Sequence, residues 1–136
     1  MATITQTSNL VVADTTAAIG VVQIDKEITI NANAPMIQTG PVTYAVSGGS
    51  DTAVDLGTIT PATGYFIEIV SNEDPDTGED LNLSTATGGS FAGAIFGRVP
   101  AGGIYSGFHT AQIYAKSADA AATVSANHRA VERTAP

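Results

Sequence analysis

The sequence predicts an all-β fold, a single antiparallel β-sandwich of jelly-roll or Ig-like type, entered through an extended N-terminal segment. Three observations predict it: hydrophobic period, turn spacing and chain length. The apolar residues recur with a period of two. In Tyr65-Phe66-Ile67-Glu68-Ile69-Val70 every odd position is apolar, and Glu68 points the other way. Turn signals then break the chain at roughly 8–12-residue intervals, the spacing of sandwiches and barrels. Finally, 136 residues suit one domain.

The strands follow in order. Glu27-Ile28-Thr29-Ile30-Asn31 alternates polar and apolar, as does Leu81-Asn82-Leu83-Ser84. Near the end, Val124, Ala126, His128 and Ala130 share one face, and Thr123, Ser125, Asn127 and Arg129 the other. Strands are expected near 20–24, 27–31, 42–46, 53–59, 64–71, 80–85, 91–99, 104–108, 111–116 and 122–131. Loops fall at Asn33-Ala34-Pro35, Gly48-Gly49-Ser50, Pro61-Ala62-Thr63-Gly64, Asp74-Pro75-Asp76-Thr77-Gly78, Pro100-Ala101-Gly102-Gly103 and Ser117-Ala118-Asp119. These connections are too short for parallel crossovers, so the strands pair antiparallel. Residues 1–19 are read as an N-terminal arm and 20–136 as the sandwich. Asp14 could cap a short helix up to Ile19, although Thr15 and Thr16 are poor helix formers. The alternation assigns Tyr65, Ile67, Ile69, Leu81, Leu83, Ile113 and Val124 to one core.

Composition narrows the function. Charged residues are 13% of the chain, against about 25% in typical soluble domains. Ala, Thr and Gly dominate. A surface built from them packs against neighbours at little desolvation cost, because few charges must lose water. The net charge is −8 and the isoelectric point about 4.3, which argues against nucleic acid as a partner. Residues 1–96 hold eleven Asp/Glu and one Lys, a net −10. Residues 97–136 hold Arg98, Lys116, Arg129 and Arg133 against Asp119 and Glu132, a net +2. An acidic body with a basic tail suits contact between copies. No apolar run approaches the roughly 20 residues that cross a bilayer, so no membrane partner is expected. Met1 to Thr7 has no basic-then-apolar pattern, so no signal peptide is expected. Cysteine is absent, which excludes disulfides and thiolate metal sites.

The polar residues form no complete catalytic motif. Gly88-Gly89-Ser90-Phe91-Ala92 resembles a nucleophile elbow, but Ala92 stands where the motif needs Gly, and a strand pattern follows in place of a helix. Serine catalysis would need a nucleophile, a base and an orienting carboxylate; of the two histidines, His109 and His128, His109 reads as a hydrogen-bonded structural residue. His128 and Glu132 are four apart, with no third ligand for zinc. The run Asn72 to Asp80 carries five carboxylates in nine residues. It fails the EF-hand pattern, because Gly78 and Pro75 break the ligand spacing, and it reads as a solvated loop. The expectation is therefore a protein that is not an enzyme, with no catalytic residue, no cofactor and no metal.

The order Tyr65–Asn72, Leu81-Asn82-Leu83, Val99-Pro100-Ala101-Gly102-Gly103, Gln112-Ile113-Tyr114-Ala115-Lys116-Ser117-Ala118 and a closing strand resembles the small β-sandwich structural proteins of tailed-phage virions. The likeness covers roughly residues 64–132. It implies a virion protein made in the host cytoplasm, most simply a decoration or cement protein on the outer surface of the head. A tail or neck component is the alternative. The implied partners are further copies of the chain and other virion proteins such as the major capsid protein. Arg129, Glu132 and Arg133 are the candidate subunit-interface residues, because a guanidinium can fork onto a carboxylate of the next copy. The segments 1–19 and 127–136 are expected to contact neighbours. Two other classes compete. One is a carbohydrate-binding sandwich, disfavoured by the absence of Trp and by only four Tyr. The other is an enzyme on a β scaffold, for which no convergent catalytic set appears.

Overall fold

A computed structural model describes the backbone of residues 3–13 and 21–31, and residues 35–133 with their side chains. The chain falls into two compact units, Met1–Ala34 and Pro35–Pro136. In the first, β1 (Thr3–Ala13) and β2 (Val21–Asn31) pair antiparallel from Thr3 opposite Asn31 to Ala13 opposite Val21. The register sets Ile4 opposite Ile30, Leu10 opposite Ile24 and Val12 opposite Val22. The strands expected at 20–24 and 27–31 are thus one strand: Asp25 and Lys26 do not interrupt it, because they pair with Asn9 and Ser8. The helix considered at Asp14–Ile19 lies outside the described residues.

The second unit is an antiparallel β-sandwich. Its strands are β3 (Met36–Gln38), β4 (Val42–Tyr44), β5 (Thr52–Ala53), β6 (Tyr65–Ser71), β7 (Leu81–Ser84), β8 (Ile95–Val99), β9 (Ile104–His109), β10 (Tyr114–Ser117) and β11 (Val124–Glu132). One sheet runs β5-β10-β7-β8. The other runs β3-β11-β6-β9, with β4 taking over from β3 along the first half of β11.

Period-two alternation builds the core. Tyr65, Ile67 and Ile69 of β6 point inward, and Leu81 and Leu83 of β7 meet them from the other sheet. Ile113 and Val124 complete the set, and all seven residues expected in the core are 0% exposed. Each such aliphatic burial is worth about 1.5–3 kcal/mol.

Two differences from the expected strands have local causes. The stretch 53–59 is a ladder strand only at Thr52–Ala53. Beyond it, Asp55 Oδ1 accepts a hydrogen bond from Gly57 N–H at 2.8 Å, and Gly57 takes φ +55°. That φ suits glycine and ends the extended run. Val54, Leu56 and Ile59 are buried nonetheless. The segment expected to begin β8 at residue 91 is instead two 3-10 turns, Gly88–Ser90 and Ala92–Ala94, and β8 starts at Ile95. The closing strand expected at 122–131 is found at Val124–Glu132. Its second half, Asn127–Glu132, runs in the interior of the sheet, beside β6 along its length and beside β3 at Arg129–Val131.

Candidate functional site

Both histidines are held by structural hydrogen bonds. His128 of β11 is 3% exposed. It lies where β3 gives way to β4 at Gly40-Pro41, and Pro41 has no N–H for the ladder. Thr39 bridges the break: its N–H donates to His128 O at 2.9 Å, and its Oγ1 accepts from His128 N–H at 3.2 Å. The His128 ring contacts Thr39 Oγ1 through Nδ1 at 3.1 Å, and Asp55 O through Nε2. A carbonyl only accepts, so Nε2 donates to Asp55 O, while Nδ1 and the Thr39 hydroxyl share the second contact. The ring ties the 39–41 crossover to the 54–59 segment.

His109 closes the opposite side of the sandwich. On β9, Tyr105, Gly107 and His109 face inward, opposite Ile69, Ile67 and Tyr65. Tyr105 Oη and His109 Nε2 share a hydrogen bond of 2.8 Å. A Cβ on Gly107 would lie 2.6 Å from that oxygen and 2.9 Å from that nitrogen, so only glycine leaves room for the pair. Phe96 of β8 sets its ring 4.8 Å from His109 and 6.1 Å from Tyr105. Burial lowers the His109 pKa and raises that of Tyr105, so both favour their neutral forms. Tyr65 donates its hydroxyl to Ala111 O at 2.7 Å. Ser90, of the Gly88–Ala92 stretch that resembles a nucleophile elbow, is exposed in a 3-10 turn.

The three interface candidates each have a partner within the sandwich. Arg129 Nη2 lies 2.8 Å from Glu68 Oε1, across the β11–β6 ladder. Glu132 Oε2 accepts from Thr60 N–H at 2.6 Å. The Arg133 guanidinium sits 5.8 Å from the centre of the Phe108 ring, and its backbone N–H donates to Gly64 O. Gly64, at φ +91°, lets Phe108 lie over it, because a Cβ there would come within 2.5 Å of the ring. Beside Arg129, a groove of about 260 Å3 runs over Gln38, Thr39, Val70 and Asn127.

The acidic loop serves the fold at both ends. Glu73 Oε1 accepts from Ser125 N–H at 2.6 Å. Asp80 accepts from Ala101 N–H at 2.9 Å and pairs with Arg98 at 3.3 Å. Asp74 closes its own turn by accepting from Asp76 and Thr77 N–H. Asp74, Pro75, Asp76 and Thr77 form the exposed tip. Among the described residues no group of three His, Asp or Glu converges as a metal set.

The least conventional feature is apolar. Among the described residues, Met36, Ile95, Phe96, Ile104 and Phe108 are the exposed large hydrophobics, between 40% and 61% accessible. Four of them lie on β8 and β9, which edge the two sheets. On the outer face of the second sheet, Met36, Val131, Phe66 and Phe108 stand side by side across four strands. Sequence reading located β9 but did not tell its faces apart. Its large side chains, Ile104 and Phe108, face outward while Tyr105 and His109 face in.

Comparison with protein-family models, curated proteins and solved structures finds no match to this chain. No helix among the described residues is long and apolar enough to cross a membrane.

Proposed function

We propose that this chain is a non-enzymatic structural subunit of a larger assembly, and specifically a tailed-phage virion protein that decorates the outer surface of the head. The observation that carries the reading is the N-terminal unit. Two eleven-residue strands pair into a compact unit of their own, and the second unit, the sandwich, has its own buried core. A two-stranded hairpin is marginal in water by itself, and contact with neighbouring subunits supplies the covering surface that such an arm needs. Two further features support the reading. The ring nitrogens of His128 and the carboxylates of Glu73, Asp80 and Glu132 are engaged in holding loops. The surface also carries little charge and an apolar edge.

The test is incorporation. The intact chain should co-sediment with empty phage heads, and a variant lacking residues 1–34 should melt like the intact sandwich yet fail to co-sediment. Tails run in parallel separate a head from a tail location. Binding to neither particle would refute the proposal.

A further inference from the structure

Building on the assembly reading, we infer that the outward face of β9 is a self-complementary docking surface for a second copy of this chain, the two copies being related by a two-fold axis through the middle of the strand. The first ground is where the apolar surface lies. Ile104 is 61% and Phe108 51% exposed, and Phe66 and Met36 lie in register with Phe108 on the same outer face, with Met36 53% exposed. From Ile104 to Phe108 the strand carries no charge. Exposed apolar surface concentrated in one place marks an interaction site.

The second ground is the device missing from this edge. Natural sheets blunt their edges by shortness, proline, bulges or charge. Here β5 has two residues, the β3–β4 edge is broken at Pro41, and β8 carries a bulge opposite Leu83/Ser84 together with Arg98. Strand β9 has six residues and none of these devices, and among the described residues its only ladder partner is β6.

The occupant follows from the charges at the two ends of the strand. Ile104 follows the 100–103 turn, and Pro75 of the acidic loop packs against Gly102 of that turn. The exposed Asp74 and Asp76 therefore flank the start of β9. At the other end, Arg133 lies over the Phe108 ring and is itself exposed. A two-fold axis near Ser106 reverses the strand in the second copy. Ile104 of one copy then meets Phe108 of the other, and Arg133 of each comes beside Asp74 and Asp76 of its partner. An isologous contact needs a patch that complements itself in this way. The ion pairs set register and orientation, and the apolar residues supply the attraction.

Sedimentation velocity of the full chain over a range of concentrations reads the association. The wild type should form a dimer, or a larger species containing it. Ile104→Lys and Phe108→Ser should each weaken the self-association by at least about tenfold, with circular dichroism and melting unchanged. Ile104 keeps the test valid if Phe108→Ser perturbs folding. Arg133→Glu should also weaken association, and adding Asp74→Arg and Asp76→Arg to it should restore it. An oligomer untouched by Ile104→Lys overturns the inference and leaves the assembly reading standing. So does a monomer that still binds heads or tails. A monomer that binds neither removes both.

Discussion

Removing a single oxygen from Tyr44 should stabilise the protein. Tyr44 closes β4 and is 0% exposed in the core. Its hydroxyl is the one buried side-chain polar atom among the described residues that has no hydrogen-bond partner. Burial, with a smaller contribution from Asp55, pushes its pKa up to about 12, the direction expected of a phenol cut off from water. A hydroxyl buried without a partner costs about 1–3 kcal/mol by mutational measure, and Tyr44→Phe deletes it without losing a bond. The ring keeps its packing, so no cavity opens. The expected gain is about 1–2 kcal/mol, or roughly 4–8 °C in Tm for a domain of this size. Thermal and urea unfolding by circular dichroism read the change. A Tm that falls by several degrees would show that the hydroxyl has a partner and that this corner of the core is arranged differently.

Further outcomes follow from the same packing. Ile67→Asp should prevent folding, since it places an unpaired carboxylate at a 0% exposed position of β6; a variant melting within a few degrees of wild type would mean the β6 register is wrong. The pH dependence should carry the mark of His109, whose folded pKa is lowered by burial. Its contribution is complete above the unfolded value of about 6.5, falls as the pH drops below that, and levels off beneath the folded pKa. His109→Gln should flatten that slope in a pH series of unfolding curves, and an unchanged slope would assign it elsewhere. Excess chelator should leave Tm unmoved, because the carboxylates of Glu73, Asp74 and Asp80 are occupied by N–H donors; a drop of several degrees would reveal a cation bound to the native state.

How much of this the sequence revealed depended on contrast between faces. Where polar and apolar residues alternate sharply, as at Tyr65–Val70, Leu81–Ser84 and Val124–Ala130, the inward set is legible. Elsewhere the contrast fails. Thr3–Ala13 opens Thr-Ile-Thr-Gln-Thr-Ser, whose weak polarity difference hides a strand that its β-branched residues favour. At Val54, Leu56 and Ile59 the apolar spacing persists although the backbone turns at Gly57, because burial needs no ladder. Strand β9 inverts the usual rule. The register with β6 puts Gly107 opposite Ile67, and a hydrogen-bonded Tyr105–His109 pair fills the inner face, leaving Ile104 and Phe108 outside. No local pattern announces that choice. The roles of Arg129, Glu132 and Arg133 likewise depend on residues distant in sequence: Glu68, Thr60 and Phe108.

The central claim is that the chain works as one copy among many in a virion. The measurement that bears on it most directly is the sedimentation of the purified protein alone, with empty heads and with tails. The account expects self-association in the absence of particles and stoichiometric co-sedimentation with heads. A chain that stays monomeric at every concentration and sediments with neither particle would contradict it.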